Sequence, residues 1–317
     1  MTAADGPGAI GRRRRLLRLG GPAGVIAGIA LDHRDSLKVV LERQGSSATS
    51  VADLRALKLA LTRALAPAAT AIMLDEEFGG LALESGAVPA AVALIMPLEA
   101  QGYETMGTDR RTTLLEDFSP ATALRYGADA CKLLLPYRPD DLGAAHWQEG
   151  LVASTAEACH ELGLPLVLEP VPYRWSTESE TAYAAAYGQL VIDMVRRVRP
   201  LGADLLKLPF PVHDLKATSG SSAADACHAL GEACGETPWV LLGAGIETDT
   251  FLEQIRLAGE AGASGFLAGR GIWADAIASD PRETERLASD VARPAFERCR
   301  EMAERTARPL STISSGS

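Results

Sequence analysis

One pattern recurs along most of this chain: a short apolar run, then a polar turn, then an amphipathic stretch with helical spacing. The apolar runs lack the alternation of half-exposed strands, as expected for parallel strands that are buried on both faces. The predicted strands span residues 25–32, 69–75, 91–98, 128–135, 164–171, 204–209, 239–243 and 265–268. The predicted helices span residues 51–65, 141–162, 181–198, 221–233, 248–261 and 281–307, and an extended loop is expected at 99–112.

Eight strands that alternate with helices over 317 residues predict a single (β/α)8 TIM barrel. A doubly wound open sheet is the competing fold, but no GxGxxG sequence follows the first strand. We expect the barrel at residues 24–308. A mobile tail with a short helix is expected at 1–23, and a flexible tail at 309–317.

The basic segment at residues 12–15 superficially resembles the start of a secretory signal. Arg18 and the glycines and proline at 20–22 interrupt the apolar residues that follow, so we do not expect a signal. A run of like charges is usually solvated, and we expect these arginines to face water. No apolar run is long enough to span a bilayer.

The composition disfavours several classes of function. A net charge of -10 is unsuited to an extended nucleic-acid footprint. The five cysteines form no CxxC pair, which predicts reduced thiols, and the scattered histidines offer no metal site. We therefore expect a cytoplasmic protein without a metal or cofactor that binds neither nucleic acid nor membrane. Homo-oligomers are common among barrels of this kind, and we expect one here.

The fourth and sixth predicted strands begin with the same sequence, G-A-D-x-x-K-L, at residues 127–133 and 202–208. A weaker third copy without the lysine occupies residues 262–266. Alternate strands of a TIM barrel send side chains into the same interior layer, so Lys132 and Lys207 should lie near each other. Only five of the 31 basic residues are lysines, and a lysine can lose its proton whereas an arginine cannot.

Active sites of TIM barrels lie at the carboxyl ends of the strands. The residues at these ends are Asp32, His33, Arg34, Asp75, Lys132, Glu169, Lys207, Gly243, Ala244, Gly245, Gly269 and Arg270. Burial and a second ammonium group lower the pKa of a lysine, and a neutral amine can attack a carbonyl to form a Schiff base. Burial is expected to raise the pKa of Glu169, which would suit proton exchange with a substrate hydroxyl. The carboxylates could instead serve only as structural salt-bridge partners.

Small residues after the seventh and eighth strands free backbone amides, and together with Arg270 they suit a phosphate group. The loops at this place in a TIM barrel often hold phosphate. An arginine in a surface loop without a ligand is the alternative for Arg270.

These residues resemble the class I tagatose-1,6-bisphosphate aldolase family, which includes the related sulfofructose-phosphate aldolases. The matching motifs are Leu31-Asp32-His33-Arg34, Ser36-Leu37-Lys38, Leu74-Asp75, Gly102-Tyr103, Lys132-Leu133-Leu134, Leu168-Glu169-Pro170, Asp204-Leu205-Leu206-Lys207, Ala244-Gly245 and residues 262–273. The resemblance implies that Lys207 forms the Schiff base and that Glu169 shuttles protons. It also implies that Lys132 and Asp32 assist these steps.

The resemblance further implies that the loops around residues 244–245 and 269–270 bind the phosphate of the ketone half. The implied reaction is the cofactor-independent cleavage of a phosphorylated ketose to dihydroxyacetone phosphate and an aldehyde such as glyceraldehyde 3-phosphate. Three alternatives are a sulfofructose-phosphate aldolase that releases sulfolactaldehyde, a deoxyribose-phosphate-type aldolase and a non-catalytic phosphosugar sensor. The deoxyribose-phosphate type has a helper lysine on its seventh strand, and residues 239–243 contain none.

The chain departs from the usual family pattern at three positions. His33 stands where the family usually has Gln, Gly243 where it usually has Ser, and Pro209 where an acid is common. These changes concern substrate contacts and leave the lysine pair intact.

Overall fold

The computed structural model describes residues 6–43, 50–100, 104–106, 109–243 and 245–313. Its strands are β1 (Ile26–Leu31), β2 (Ala71–Leu74), β3 (Ala93–Pro97), β4 (Glu104–Met106), β5 (Asp109–Arg111), β6 (Ala130–Pro136), β7 (Leu166–Val171), β8 (Leu205–Leu208), β9 (Trp239–Gly243) and β10 (Gly265–Ala268). Eight of them form a closed parallel barrel in the order β1-β10-β9-β8-β7-β6-β3-β2. The predicted TIM barrel and its eight strands are therefore confirmed.

Most helices follow the barrel strands and cover their outer faces, whereas α1 precedes β1 and lies at the bottom of the barrel. They are α1 (Pro7–Arg18), α2 (Asp35–Arg43), α3 (Val51–Leu65), α4 (Glu76–Glu84), α5 (Pro120–Arg125), α6 (Leu142–Glu161), α7 (Glu180–Val198), α8 (Gly220–Cys234), α9 (Thr248–Glu260), α10 (Arg270–Trp273), α11 (Pro281–Leu287) and α12 (Arg293–Thr306). None of the helices in the described ranges is both long and apolar enough to cross a membrane.

The predicted single helix at 281–307 is interrupted. A π-helical turn at Ala288–Ala292 separates α11 from α12. Pro294 lies in the first turn of α12 and lacks the N–H that would continue a regular hydrogen-bond ladder from α11.

The extended loop expected at 99–112 contains an antiparallel hairpin. β4 pairs with β5, with Glu104 opposite Arg111 and Met106 opposite Asp109. The short strands ETM and DRR carry too few apolar residues to show a strand pattern in the sequence. The resemblance motif Gly102-Tyr103 lies outside the described residues.

Apolar side chains fill the lower part of the barrel lumen. The layer inside the strands comprises Ile26, Ala30, Ala71, Met73, Ala93, Ile95, Ala130, Val167, Leu205, Val240 and Leu267. A second and larger core lies between the strands and the helices. Among the described residues, the polar groups of the lumen thus lie at the carboxyl ends of the strands, above an apolar floor.

Both ends of the chain close the bottom of the barrel. Leu16 and Leu19, from α1 and just after it, pack into the lumen cluster together with Leu310 and Ile313. Arg13 Nη2 donates to the carbonyl oxygens of Leu310 at 3.0 Å and Ile313 at 2.9 Å. Residues 309–313 are therefore packed against the barrel, unlike the flexible tail expected there. The division of the chain at residues 23 and 308 stays a prediction.

The aspartates of the G-A-D-x-x-K-L repeats bind the same N-terminal helix. Asp129 Oδ2 accepts from Leu94 N at 3.0 Å, and Asp204 Oδ2 accepts from Leu166 N at 2.9 Å. Each aspartate thereby ties the start of its strand to the start of the preceding barrel strand. Their Oδ1 atoms pair with α1: Arg18 Nε lies 3.5 Å from Asp129, and Arg12 Nε lies 3.1 Å from Asp204.

The expectation of a solvated arginine segment is therefore wrong for several of its members. Arg15 Nη1 also donates to the carbonyl oxygen of Gly163, at 2.9 Å, and this residue precedes β7. The acceptors lie more than 100 positions away along the chain. A charge run read in isolation cannot reveal such partners.

We expect Leu16→Ala to destabilise the fold by about 2–4 kcal/mol, because it removes a buried side chain and leaves a cavity under the lumen. Urea denaturation measures this change. Ile10→Ala, on the same helix but 58% exposed, is the matched control and should cost less than about 0.5 kcal/mol. Equal losses in the two variants would show that α1 does not seal the barrel.

Candidate active site

The two lysines of the repeated motif meet in the lumen. Lys132 is the third residue of β6 and Lys207 the third residue of β8. The Nζ atoms of Lys132 and Lys207 lie 3.2 and 3.0 Å from the same oxygen, Glu169 Oε2. Each lysine is 3% exposed. The convergence predicted from the repeat is confirmed, and one carboxylate of β7 joins the two amines.

Lys132 contacts three carboxylates. Its Nζ lies 3.0 Å from Asp32 Oδ2, and it also binds Glu99 Oε1 in addition to Glu169. Burial acts to lower the pKa of Lys132, but the three negative charges outweigh burial and raise this pKa well above its usual value. The expected lowering of the pKa by lysine–lysine repulsion is therefore wrong for Lys132, which is a fixed ammonium group.

Glu99 is a site residue that the sequence reasoning missed. It lies two residues after β3, is 2% exposed, and accepts from Leu134 N at its Oε2 atom at 3.1 Å. Burial raises its pKa and the nearby Asp32 charge adds to this effect, while the Lys132 charge opposes it. The sequence did contain a sign of this role, because Glu99 directly follows the predicted strand 91–98, at the end where the other site residues lie.

Glu169 and Asp32 are both held in their ionised forms. Burial acts to raise the pKa of Glu169, but the charges of Lys132 and Lys207 outweigh burial, so the pKa lies below its usual value. The prediction of a raised pKa for Glu169 is wrong for this reason. Burial likewise opposes the ionised form of Asp32, and the charge of Lys132 overcomes it and holds the pKa well below its usual range.

Lys207 differs from Lys132 in its surroundings. Its Nζ contacts a single carboxylate among the described residues, that of Glu169, and lies 3.9 Å from Met73 Sδ in the apolar lumen layer. The two lysines therefore differ. Three carboxylates neutralise Lys132, whereas Lys207 borders the apolar layer of the lumen.

A small pocket lies between the loops that follow β9 and β10. Its lining residues are Gly243, Gly245, Ile246, Thr248, Phe251, Ala268, Gly269, Gly271 and Ile272. A Cβ at Gly243 would lie 2.8 Å from Ala268 Cα, so the serine that is usual in the resembling family does not fit here. Arg270 begins α10 beside this pocket and is exposed. Ala244, the other predicted phosphate contact, lies outside the described residues.

His33 lies between the lysine cluster and the glycine-lined pocket. A Cβ added to Gly269 would come within 2.9 Å of His33 Cε1, so the histidine ring packs directly on this loop. The ring stands edge-on to Trp273 with 5.2 Å between centroids. Burial lowers the pKa of His33 to about 4 despite the opposing charge of Asp32. The imidazole is therefore neutral at neutral pH.

The sequence matches a protein-family model described as DeoC/LacD family aldolase over residues 26–275, which include all ten strands. The chain belongs to the DeoC/LacD family of aldolases. The two lysines thus lie in the lumen of a barrel that belongs to an aldolase family.

Several curated proteins are similar to this aldolase over most of its length. Tagatose 1,6-diphosphate aldolase 2 of Enterococcus faecalis is 30% identical over 283 residues, which cover 84% of each chain. Tagatose 1,6-diphosphate aldolase of Lactococcus lactis subsp. lactis is 27% identical over 295 residues, covering 88% of this chain and 90% of the relative.

Solved structures share the fold at lower identity. A fructose-bisphosphate aldolase from Slackia heliotrinireducens superposes with a TM-score of 0.64 at 18% identity, covering 100% of this chain and 95% of the other. A Schiff base forming fructose-1,6-bisphosphate aldolase superposes with a TM-score of 0.57 at 19% identity, covering 90% and 99%.

Two of the predicted substrate contacts have internal partners in this aldolase. Asp75 is fully buried; its Oδ1 accepts from Phe78 N at 2.7 Å and caps α4, and its Oδ2 pairs with Lys58. The expectation that Asp75 contacts substrate is therefore corrected, because neither of its oxygens faces the open lumen. Arg34 is 5% exposed, and its guanidinium pairs with Glu76 at 3.5 Å.

Arg34 connects the strand ends to the loop that carries Glu99. Its Nη2 donates to the backbone carbonyl oxygen of Glu99. The buried Arg34 guanidinium therefore supports the backbone of the site and is not open to a ligand. Within the described part of the chain, no group of three or more His, Cys, Asp or Glu side chains is arranged to hold a metal ion.

We expect Asp32→Asn to change how the stability of this aldolase depends on pH. The folded-state pKa of Asp32 is lowered, so its contribution is complete above the unfolded-state pKa of about 3.9 and is lost as pH falls below it. In the variant, the free energy of unfolding should fall less steeply below pH 4, by up to about 1 kcal/mol per pH unit. Urea denaturation between pH 5 and 3 measures the slopes.

The matched control for this experiment is Asp117→Asn at an exposed position, which should keep the wild-type slope. Identical slopes for wild type and Asp32→Asn would show that Asp32 titrates alike in the folded and unfolded states.

Proposed function

We propose that this chain is a Schiff-base aldolase that cleaves a ketose like tagatose 1,6-bisphosphate to dihydroxyacetone phosphate and glyceraldehyde 3-phosphate. One observation carries the proposal: two buried lysines share a carboxylate oxygen, and only one of them is surrounded by further carboxylates. The names of the curated relatives support the choice of sugar.

Lys207 is the proposed nucleophile. Glu169 Oε2, at 3.0 Å, is placed to accept the proton that the Lys207 amine releases. The free amine attacks the C2 carbonyl of the ketose to give a carbinolamine. Glu169 returns its proton to the carbinolamine hydroxyl, which leaves as water, so that a protonated imine forms and Glu169 is again a carboxylate. Lys132 is unsuited to this role because its three carboxylates hold its proton.

The protonated imine then withdraws electrons from the neighbouring carbon–carbon bond. Glu169 takes the proton of the C4 hydroxyl, the C3–C4 bond breaks, and its electron pair forms an enamine on Lys207. The aldehyde leaves, C3 of the enamine is protonated, and water hydrolyses the imine to release dihydroxyacetone phosphate. The fixed positive charge of Lys132 stabilises the negative charge that passes through Glu169.

The remaining site residues have proposed binding roles. The pocket formed by Gly243, Gly245 and Gly269 would take the C1 phosphate, with Arg270 at its edge and Ala244 in the same loop. His33 would contact the substrate as a neutral imidazole from the wall next to this pocket. We further propose that the aldolase acts without a cofactor, in the cytoplasm and as a homo-oligomer.

The position of the second lysine argues against a deoxyribose-phosphate-type aldolase. β9, the seventh barrel strand, runs from Trp239 to Gly243 without a lysine. The second amine comes from the fourth barrel strand instead.

We expect dihydroxyacetone phosphate and borohydride to leave a reduced covalent adduct on Lys207, detected by intact mass and peptide mapping. Lys207→Arg should give no adduct because a guanidinium does not form a Schiff base. Lys216→Arg, at a 70% exposed lysine, is the matched control and should be labelled like wild type. An unlabelled wild-type protein would contradict the mechanism, and a labelled Lys207→Arg variant would contradict the assignment of the lysine.

We expect Glu169→Gln to lower kcat by roughly 10²- to 10⁴-fold, because the amide cannot accept the C4 hydroxyl proton. Steady-state cleavage assays coupled to triose-phosphate release measure this effect. The variant should still form the borohydride adduct, more slowly than wild type. Glu161→Gln, on the exposed end of α6, is the control. Full activity in Glu169→Gln would remove Glu169 from the proton-transfer role.

A further inference from the structure

Arg110 lies at the mouth of the barrel, the open end formed by the carboxyl ends of the strands. The proposed mechanism does not use this residue. It lies on β5, in the hairpin that follows the third barrel strand, and its side chain is exposed. The carbon at the centre of its guanidinium is 5.5 Å from the ring centroid of Tyr173. Tyr173 lies two residues beyond β7, the strand that carries Glu169. The Arg110 side chain thus extends from the loop of the third barrel strand to the loop of the fifth.

The base of this hairpin is fixed to the barrel. Thr112 directly follows β5; its Oγ1 donates to the Leu134 carbonyl oxygen at 2.7 Å, and its N donates to Gln148 Oε1 at 3.3 Å. Gln148 Nε2 in turn donates to the Pro136 carbonyl oxygen at 2.7 Å. β5 is therefore held at the carboxyl end of β6, and Arg110 is attached to a supported backbone.

The charge of Arg110 has no carboxylate partner among the described residues. Its guanidinium instead contacts the Tyr173 ring. Arg138, which binds the Tyr173 carbonyl oxygen at 3.0 Å, is the contrasting case. It pairs with both Asp140 and Glu178 at 2.7 Å. Two arginines thus adjoin Tyr173, and only Arg138 has its charge balanced there.

Arg110 also lies on the side of the mouth that faces the proposed C1-phosphate pocket. That pocket follows β9 and β10, and in the closed barrel the strands opposite these two are β3 and β6. A ketose whose C1 phosphate is in the pocket and whose C2 is bonded to Lys207 directs its remaining carbons across the mouth. Its far end then approaches the side where Lys132 and the hairpin lie.

We propose that Arg110 binds a tetrahedral oxyanion on the distal carbon of the substrate, a phosphate or a sulfonate on C6. The contact with the Tyr173 ring holds the Arg110 guanidinium at this position, and its N–H groups match two oxygens of such an anion. The inference rests on the proposed function, because it takes the C1 phosphate and Lys207 as the other fixed points of the substrate.

Arg110→Ala tests the assignment with ketose 1-phosphates that carry a phosphate, a sulfonate or a hydroxyl on C6. We expect kcat/KM for the two anionic substrates to fall roughly 10- to 100-fold, through a higher KM, since a charge-assisted hydrogen-bond pair is lost. Activity on the 6-hydroxy substrate should stay within about 2-fold of wild type. A loss for one anion alone would support the site and identify its ligand.

Arg111→Ala is the matched control. Neighbouring residues of a strand point to opposite faces, and the Arg111 guanidinium lies 5.4 Å from the Trp147 ring on α6, away from Tyr173. This variant should keep kcat/KM within about 2-fold for all three substrates. Arg110→Lys should recover part of the activity on the anions, and thermal unfolding shows whether each variant is folded.

Equal losses on the anionic and 6-hydroxy substrates, or no loss on the anions, would overturn the role of Arg110. Dihydroxyacetone phosphate lacks the distal half of the substrate, so Arg110→Ala should form the borohydride adduct as wild type does. The adduct experiment therefore distinguishes a failure of the proposed function from a failure of the distal site alone. A wild type that forms no adduct contradicts the proposed function, whereas normal adducts with unchanged anion preference contradict only the distal site.

Discussion

The structure depends on one buried interaction, the binding of Lys132 by three carboxylates. Removing charges from water is costly, and the cost is offset only where partners and hydrogen bonds are complete. Asp32, Glu99 and Glu169 meet this condition from the ends of three different barrel elements. The cluster therefore fixes the relative positions of the first, third, fourth, fifth and sixth barrel strands, because Lys132 lies on the fourth and Glu169 also contacts Lys207 on the sixth. A fixed ammonium beside Glu169 would also suit the proposed Schiff-base mechanism.

The G-A-D-x-x-K-L repeat serves both ends of the barrel. Its aspartate lies at the amino end of each strand and joins strand starts to the arginines of α1. Its lysine lies three residues later in the lumen, above the apolar floor that includes Met73. The closed bottom keeps water from that side of the floor, and the charged groups are left at the top, where substrate can enter. One short motif thus supports stability at one end and chemistry at the other.

The two proposed anion sites are built in different ways. The proposed C1-phosphate pocket has four glycines among its nine lining residues, and Gly243 is required because Ala268 leaves no space for a Cβ. The distal site depends on one arginine that contacts the Tyr173 ring and is carried by a hairpin. The first site is integral to the barrel, whereas the second belongs to an insertion between strands. Differences in sugar preference within such a family can therefore arise in the hairpin without any change to the lysine cluster.

The sequence by itself determined the eight strands, most helices and the barrel, because buried parallel strands and amphipathic helices have local periodicities. It also determined the pairing of Lys132 with Lys207, since the repeat places them at equivalent strand positions. Tertiary structure alone decided the protonation of the cluster and the role of Asp75 as a helix cap. Asp32 and Glu99 lie 100 and 33 positions from the lysine that they bind, and a pKa depends on all charges within a few ångströms. The pKa values of the cluster therefore depend on distances in space, which the sequence does not contain. The sequence identified the residues but not their protonation states.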